Sequence, residues 1–138
     1  MTSGSPSTFG LQAEVLDVDL DPEWRALVSQ QAHTLAGMLQ RLQHAVAGVP
    51  QRTDARRQAT ARVHALAADA ERLLTAQAQQ HVSLERELVQ LRAMVTDLSP
   101  APAEAAQRVR RLERVIEVLH ANLAAARRTL ATLTHERA

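Results

Sequence analysis

With 138 residues, only two aromatics (Phe9 and Trp24), four Gly and no Cys, the chain suits one domain. That composition excludes a thick aromatic core, a Gly-rich nucleotide loop, disulfides and thiolate chemistry. The net charge of +1 is unevenly spread: all five charges before Trp24 are acidic, and the remainder, with 16 cations against ten acids, carries +6.

Every cation is Arg, which reflects either a coding bias towards GC-rich codons or a surface that grips carboxylates or phosphates bidentately. No stretch reaches the roughly 18 apolar residues that a membrane span needs, and the N-terminal residues lack the pattern of a secretory signal. The expected setting is cytoplasmic.

Residues 1–10 are rich in Ser, Thr, Gly and Pro and read as a flexible leader. Between Leu11 and Asp21 the pattern changes, because Leu16, Val18 and Leu20 alternate with Asp17, Asp19 and Asp21 at the period of a half-buried strand. A lone strand cannot stand in a helical chain. The segment must therefore pair with another copy, add to a partner's sheet, or lie as an irregular arm on the helices, which is the preferred reading. Phe9, Leu16, Val18 and Leu20 are its candidate partner contacts, with docking expected on another molecule.

Asp21-Pro22-Glu23-Trp24 predicts a helix start, with Asp21 as the cap and Pro22 at the first position. The helix expected over 22–48 carries an apolar stripe of Val28, Ala32, Leu35, Leu39, Leu42, Val46 and Val49. Leu27, Met38 and Ala45 widen it, and Gly48 with Pro50 marks the stop.

The stretch 54–98 contains neither Gly nor Pro and is dense in strong helix formers. Unbroken, it would be roughly 67 Å long, so it must lie along other helices. Its seam reads Val63, Leu66, Ala70, Leu73, Gln77, Gln80, Leu84, then Leu88, Leu91, Val95 and Leu98. The step from Leu84 to Leu88 adds a residue to the expected spacing. A kink near Gln77–His81, or the end of packing against the first helix, is the preferred reading; a polar layer that sets register is the other.

Ser99-Pro100-Ala101-Pro102 breaks the chain, and a third helix is expected over 102–136. Its seam of Ala105, Val109, Leu112, Ile116, Leu119, Leu123, Ala126, Leu130 and Leu133 is uninterrupted. Val115 and Val118 lie beside it, so more than one neighbour is expected to touch this helix. Short connections make successive helices antiparallel neighbours. The predicted fold is all-α: an elongated antiparallel bundle, or coiled-coil hairpin, of three helices forming one domain over 21–138, preceded by an extended arm over 1–20.

Few constellations suggest chemistry. Glu117-Val118-Leu119-His120, with Glu113 nearby, has the Glu-x-x-His spacing of carboxylate-bridged metal bundles, but such sites need two of these motifs and further Glu residues. Asp17-x-Asp19-x-Asp21 lacks the glycine of a calcium loop. His81 and Glu85 form one isolated i,i+4 pair. No catalytic residue, metal, cofactor or small-molecule substrate is expected.

Three Arg pairs, Arg56-Arg57, Arg110-Arg111 and Arg127-Arg128, could contact phosphates. Glu residues interleave with these cations at helical spacing, as in Glu104 with Arg108 and Arg114 with Glu117, which is the pattern of a solvated helix surface.

The sequence therefore points to a non-enzymatic, self-associating helical module: an adaptor, scaffold or partner-binding chaperone acting through protein contacts. A dimer is expected, with the third-helix residues Val109, Leu112, Ile116, Leu119, Leu123, Leu130 and Leu133 as its packing seam. The alternative is a structural protein that binds nucleic acid through Arg.

Overall fold

A computed structural model describes residues 5–97 and 102–135. Three long helices form, α1 (Pro22–Ala47), α2 (Thr53–Asp97) and α3 (Ala103–His135), within one or two residues of the expected bounds. The expected helix ends at Leu98 and Glu136, the Ser99–Ala101 part of the breaker, and residues 1–4 of the leader lie outside the described residues. No strand forms among the described residues, and the arm contains one short 3-10 turn, Pro6–Phe9.

Asp21 starts α1, but not by the predicted means. Its side chain makes no capping bond. Its carbonyl accepts the N–H groups of Trp24 (3.1 Å) and Arg25 (3.0 Å), while its carboxylate accepts from Arg108 of α3 at 2.8 Å. The pair with Arg108, ionised on both sides, takes the carboxylate that a cap would have used.

Each helix touches both others, so the three close around a shared interior rather than forming a flat layer. That interior divides into two apolar cores. One joins Leu35–Val46 of α1, Val63–Leu74 of α2 and Leu123–Leu133 of α3. The other joins Trp24 and Val28 of α1, Leu88 of α2 and Leu112–Leu119 of α3. This pairing places α1 and α3 antiparallel to α2.

The α1 stripe is buried as its spacing predicts, except for Val49, which is half-buried. The third-helix seam is buried from Leu112 to Leu133, with Val109 half-buried. Beside it runs a second buried row of Val115, Val118, Asn122 and Ala125, so α3 does serve two neighbours. Leu112, Ile116, Leu119, Leu123, Leu130 and Leu133 thus pack within a single copy of the chain.

In α2 the register differs from the expectation. The buried residues are Val63, Ala70, Leu74, Gln77, His81 and Leu88. With partly buried Ala67, Leu84, Leu91 and Val95, these repeat in alternating steps of four and three without interruption. Leu66 and Leu73 are half-buried flanking residues, and Gln80 is exposed. The extra residue between Leu84 and Leu88 vanishes in this register. α2 is one continuous helix through Gln77–His81.

The arm also departs from its period-two pattern. Gly10 takes a left-handed backbone (φ 73°) that closes the 3-10 turn and suits glycine. The chain then runs irregularly over α1 and α3, burying Leu11 in the first core and Val15 and Leu20 in the second. Leu16 is 71% exposed, Val18 is half-buried, and Phe9 rests against the first core. With no sheet to impose alternation, spacings of four and five select the buried side chains. Within the chain, the arm lies on α1 and α3.

Candidate functional site

Between the two cores sits a layer of polar side chains. Gln31 of α1 follows Val28 and precedes Leu35; Gln77 and His81 of α2 fall between Leu74 and Leu88. All three are buried, with His81 only 2% exposed. The Gln31 amide donates through Nε2 to Gln80 Oε1 at 2.9 Å. Its Oε1 accepts from His81 Nε2 at 2.7 Å. That contact fixes the neutral tautomer with hydrogen on Nε2 and leaves Nδ1 bare. Nδ1 is buried without a hydrogen-bond partner, as is Gln77 Oε1 one turn earlier on the same helix.

His120 of α3 approaches the His81 ring, with centroids 5.8 Å apart and planes tilted by 42°. Its Nε2 lies 3.6 Å from Glu85 Oε2. Burial lowers the His81 pKa from its ordinary value, and the nearby His120 lowers it further, against a partial upward pull from Glu85. The layer is built to hold a neutral imidazole. Sequence alone showed Gln77 at a seam position, the His81–Glu85 pair and His120 in a separate motif; that Gln31 and His120, 50 and 39 residues away in sequence, meet His81 is visible only in the fold.

Asn122 continues the polar level on the far side of α3. Gln12 N–H donates to its Oδ1 at 2.8 Å, and its Nδ2 donates to the Gln12 carbonyl at 2.8 Å. One side chain thereby satisfies both backbone groups of an arm residue, in the way a neighbouring strand would. Neither member was singled out by the sequence pattern.

A second node joins the arm to all three helices. Arg108 donates to Asp21 (2.8 Å) and to Glu87 of α2 (3.1 Å), and its guanidinium stands 4.5 Å from the Trp24 ring centroid. Burial opposes its charge, but the hydrogen bonds to Glu87 and Asp21 outweigh it and raise the Arg108 pKa. The expected pairing of Glu104 with Arg108 gives way to these partners. Arg114 bonds Glu117 as expected (2.9 Å) and also Asp17 of the arm (3.2 Å). Trp24, 5% exposed, is not free to stack on a base.

The candidate metal motif is taken apart by these contacts. Glu117 serves Arg114 and His120 turns to Glu85, while Asp17, Asp19 and Asp21 each face a different Arg or the solvent. Among the described residues, no group of three or more His, Asp or Glu is arranged to hold a metal ion. No helix is long and apolar enough to cross a membrane among the described residues.

The three Arg pairs do not form one surface. Arg56, Arg57, Arg127 and Arg128 are exposed in the half of the bundle that holds the first core. Arg110, exposed, and Arg111, half-buried with its Nε sheltered and unbonded, belong to the other half. Charge separates the same way. Residues 36–75 and 121–135 hold eight Arg and three acids, a net of +5; the other described residues hold seven Arg and eleven acids, a net of −4.

In the cationic half, an open groove of about 1130 Å³ runs between α1 and α2. From α1 and its C-cap it is lined by Gly37, Arg41, His44 and Gly48, which follow one another at steps of four, three and four. From α2 come Ala55, Ala59, Arg62 and Leu66 at the same steps. No α3 residue and no carboxylate lines it. Apart from Leu66, which the sequence placed in the α2 seam and which flanks the first core, and Gly48, read as the stop of α1, these residues lie outside the core seams and are polar or small. No family model, no curated protein and no solved structure matches the chain.

Proposed function

We propose that the chain is a non-enzymatic helical adaptor, scaffold or chaperone-like module that acts through protein contacts and self-associates as a dimer. The observation that supports this reading is the apolar surface left over once both cores are closed. Val89 is 63% exposed and Val82 39% exposed. They stand seven residues apart and so share one face of α2. Met94 and Leu16 are the other large exposed apolar side chains among the described residues. The one buried imidazole, His81, is engaged with Gln31 and does not line the large groove. The proposal includes a cytoplasmic setting and requires no cofactor.

Light scattering at micromolar concentration tests it. The expected mass is twice the 15.1 kDa of the chain, and Val82→Glu with Val89→Glu returns it to a monomer. A wild-type monomer ends the self-association reading. The nucleic-acid alternative draws on Arg56, Arg57, Arg127 and Arg128, none of which joins an ion pair among the described residues. It requires a duplex to bind at low salt, with a steep salt dependence that flattens in Arg56→Ala/Arg57→Ala. No shift of a long duplex at low salt removes it.

A further inference from the structure

We propose that the groove between α1 and α2 receives an acidic, amphipathic helix of about three turns from another protein. This rests on the adaptor reading only in assuming a protein partner; self-association through Val82 and Val89 is a separate claim with its own assay.

Shape argues for a helix. Each wall presents a row at steps of four, three and four, the spacing at which helices offer holes to the knobs of a neighbour. From Gly37 to Gly48 the wall rises eleven residues, about 16 Å, the length of three helical turns. The floor includes Leu66 and Ala59, each half-buried, so a visiting helix can bury an apolar stripe.

Charge states which helix. Arg41, His44 and Arg62 are exposed along the groove, and none has a carboxylate within ion-pair distance among the described residues. The surrounding half of the molecule carries +5. Carboxylates flanking the apolar stripe of an incoming helix would meet Arg41 and Arg62, and a basic helix would be repelled. A phosphate backbone gains nothing from the apolar floor, whereas the projecting Arg56 and Arg57 beyond the groove would serve it equally well.

The probe is a fluorescein-labelled peptide of about 18 residues, long enough to reach helical form on binding, with Leu at four-three-four spacing and Glu at the flanking positions. Anisotropy is followed against the intact protein at low ionic strength. Saturable binding is expected, weakened about tenfold or more by Arg41→Glu with Arg62→Glu and little changed by Arg127→Glu with Arg128→Glu. Both pairs are exposed, so circular dichroism and melting should match the wild type. A peptide with Lys in place of Glu should not bind.

Four results would overturn the proposal: no saturable binding, equal losses in the two double variants, equal binding of a Glu-rich peptide lacking Leu, or duplex DNA competing for Arg41 and Arg62. So would a dimer that dissociates on Arg41→Glu with Arg62→Glu, since a second copy would then fill the groove.

Discussion

Acidification should destabilise the bundle through His81 in particular. Folded, this side chain is neutral: Nε2–H is committed to Gln31, Nδ1 is buried without a partner, and His120 stands beside the ring. Unfolded, it titrates near the ordinary value of 6.5. Its folded pKa is lowered, so the unfolded chain binds the proton more readily. The stability contribution is therefore complete above 6.5 and is lost as pH falls through 6.5 towards the lower folded value. At one unit below 6.5 the loss from this residue is at most about 1.4 kcal/mol. Urea unfolding followed by circular dichroism, at about pH 8 and about pH 5.5, measures it. His81→Gln is the comparison, because an amide can still donate to Gln31 but cannot titrate. The difference between wild type and His81→Gln should grow as pH falls. Glu85→Gln should sharpen the loss, by removing the upward pull, and His120→Gln should soften it. If wild type and His81→Gln lose stability in parallel, the charge is accommodated in the layer and the reasoning fails.

Two other perturbations address how the arm and the helices are joined. Asn122→Ala removes both bonds to the Gln12 backbone and should cost about 1–3 kcal/mol, with faster proteolysis between residues 11 and 20; unchanged cleavage there would mean that Leu11, Val15 and Leu20 hold the arm without it. Arg108→Ala should lower stability by about 1 kcal/mol, reduced at its half-exposed site by solvent screening, and should weaken with added salt. A salt-independent loss would assign the effect to packing on Trp24 instead of the ion pairs.

The all-α fold, the helix bounds and the apolar rows of α1 and α3 were legible in the sequence because each rests on local information. Gly48 and Pro22 punctuate the chain, and the apolar side chains of α1 and α3 are large enough to mark one face. α2 was less legible because both of its adjacent rows contain Leu and a polar residue. Leu73 with Gln80 competes with Leu74 with His81, and only the packing of the three helices, which buries Leu74 and His81, selects the second. The arm misled for a different reason. Alternating Leu and Asp between 16 and 21 has the period of a strand, but no sheet exists to use it, and Arg114 and Arg108 draw Asp17 and Asp21 towards α3. The polar layer and the Arg108 node depend on residues tens of positions apart, which no local pattern connects. The groove escaped notice because its rows, apart from Leu66, look like an ordinary solvated surface until two helices lie side by side.

The seat of Asn122 has a consequence for how the molecule comes into being on a ribosome. Gln12 and Asn122 are separated by 110 residues, so the arm is made long before its clasp exists. Until α3 emerges, Leu11, Val15 and Leu20 have only α1 to rest on, and α1 itself lacks the wall that α3 later provides. The acidic residues along that waiting segment keep its apolar side chains in company with charge, which disfavours premature aggregation. Closing so wide a loop is slow relative to pairing adjacent helices. The arm, made before α3, is thus fastened only once Asn122 has joined it.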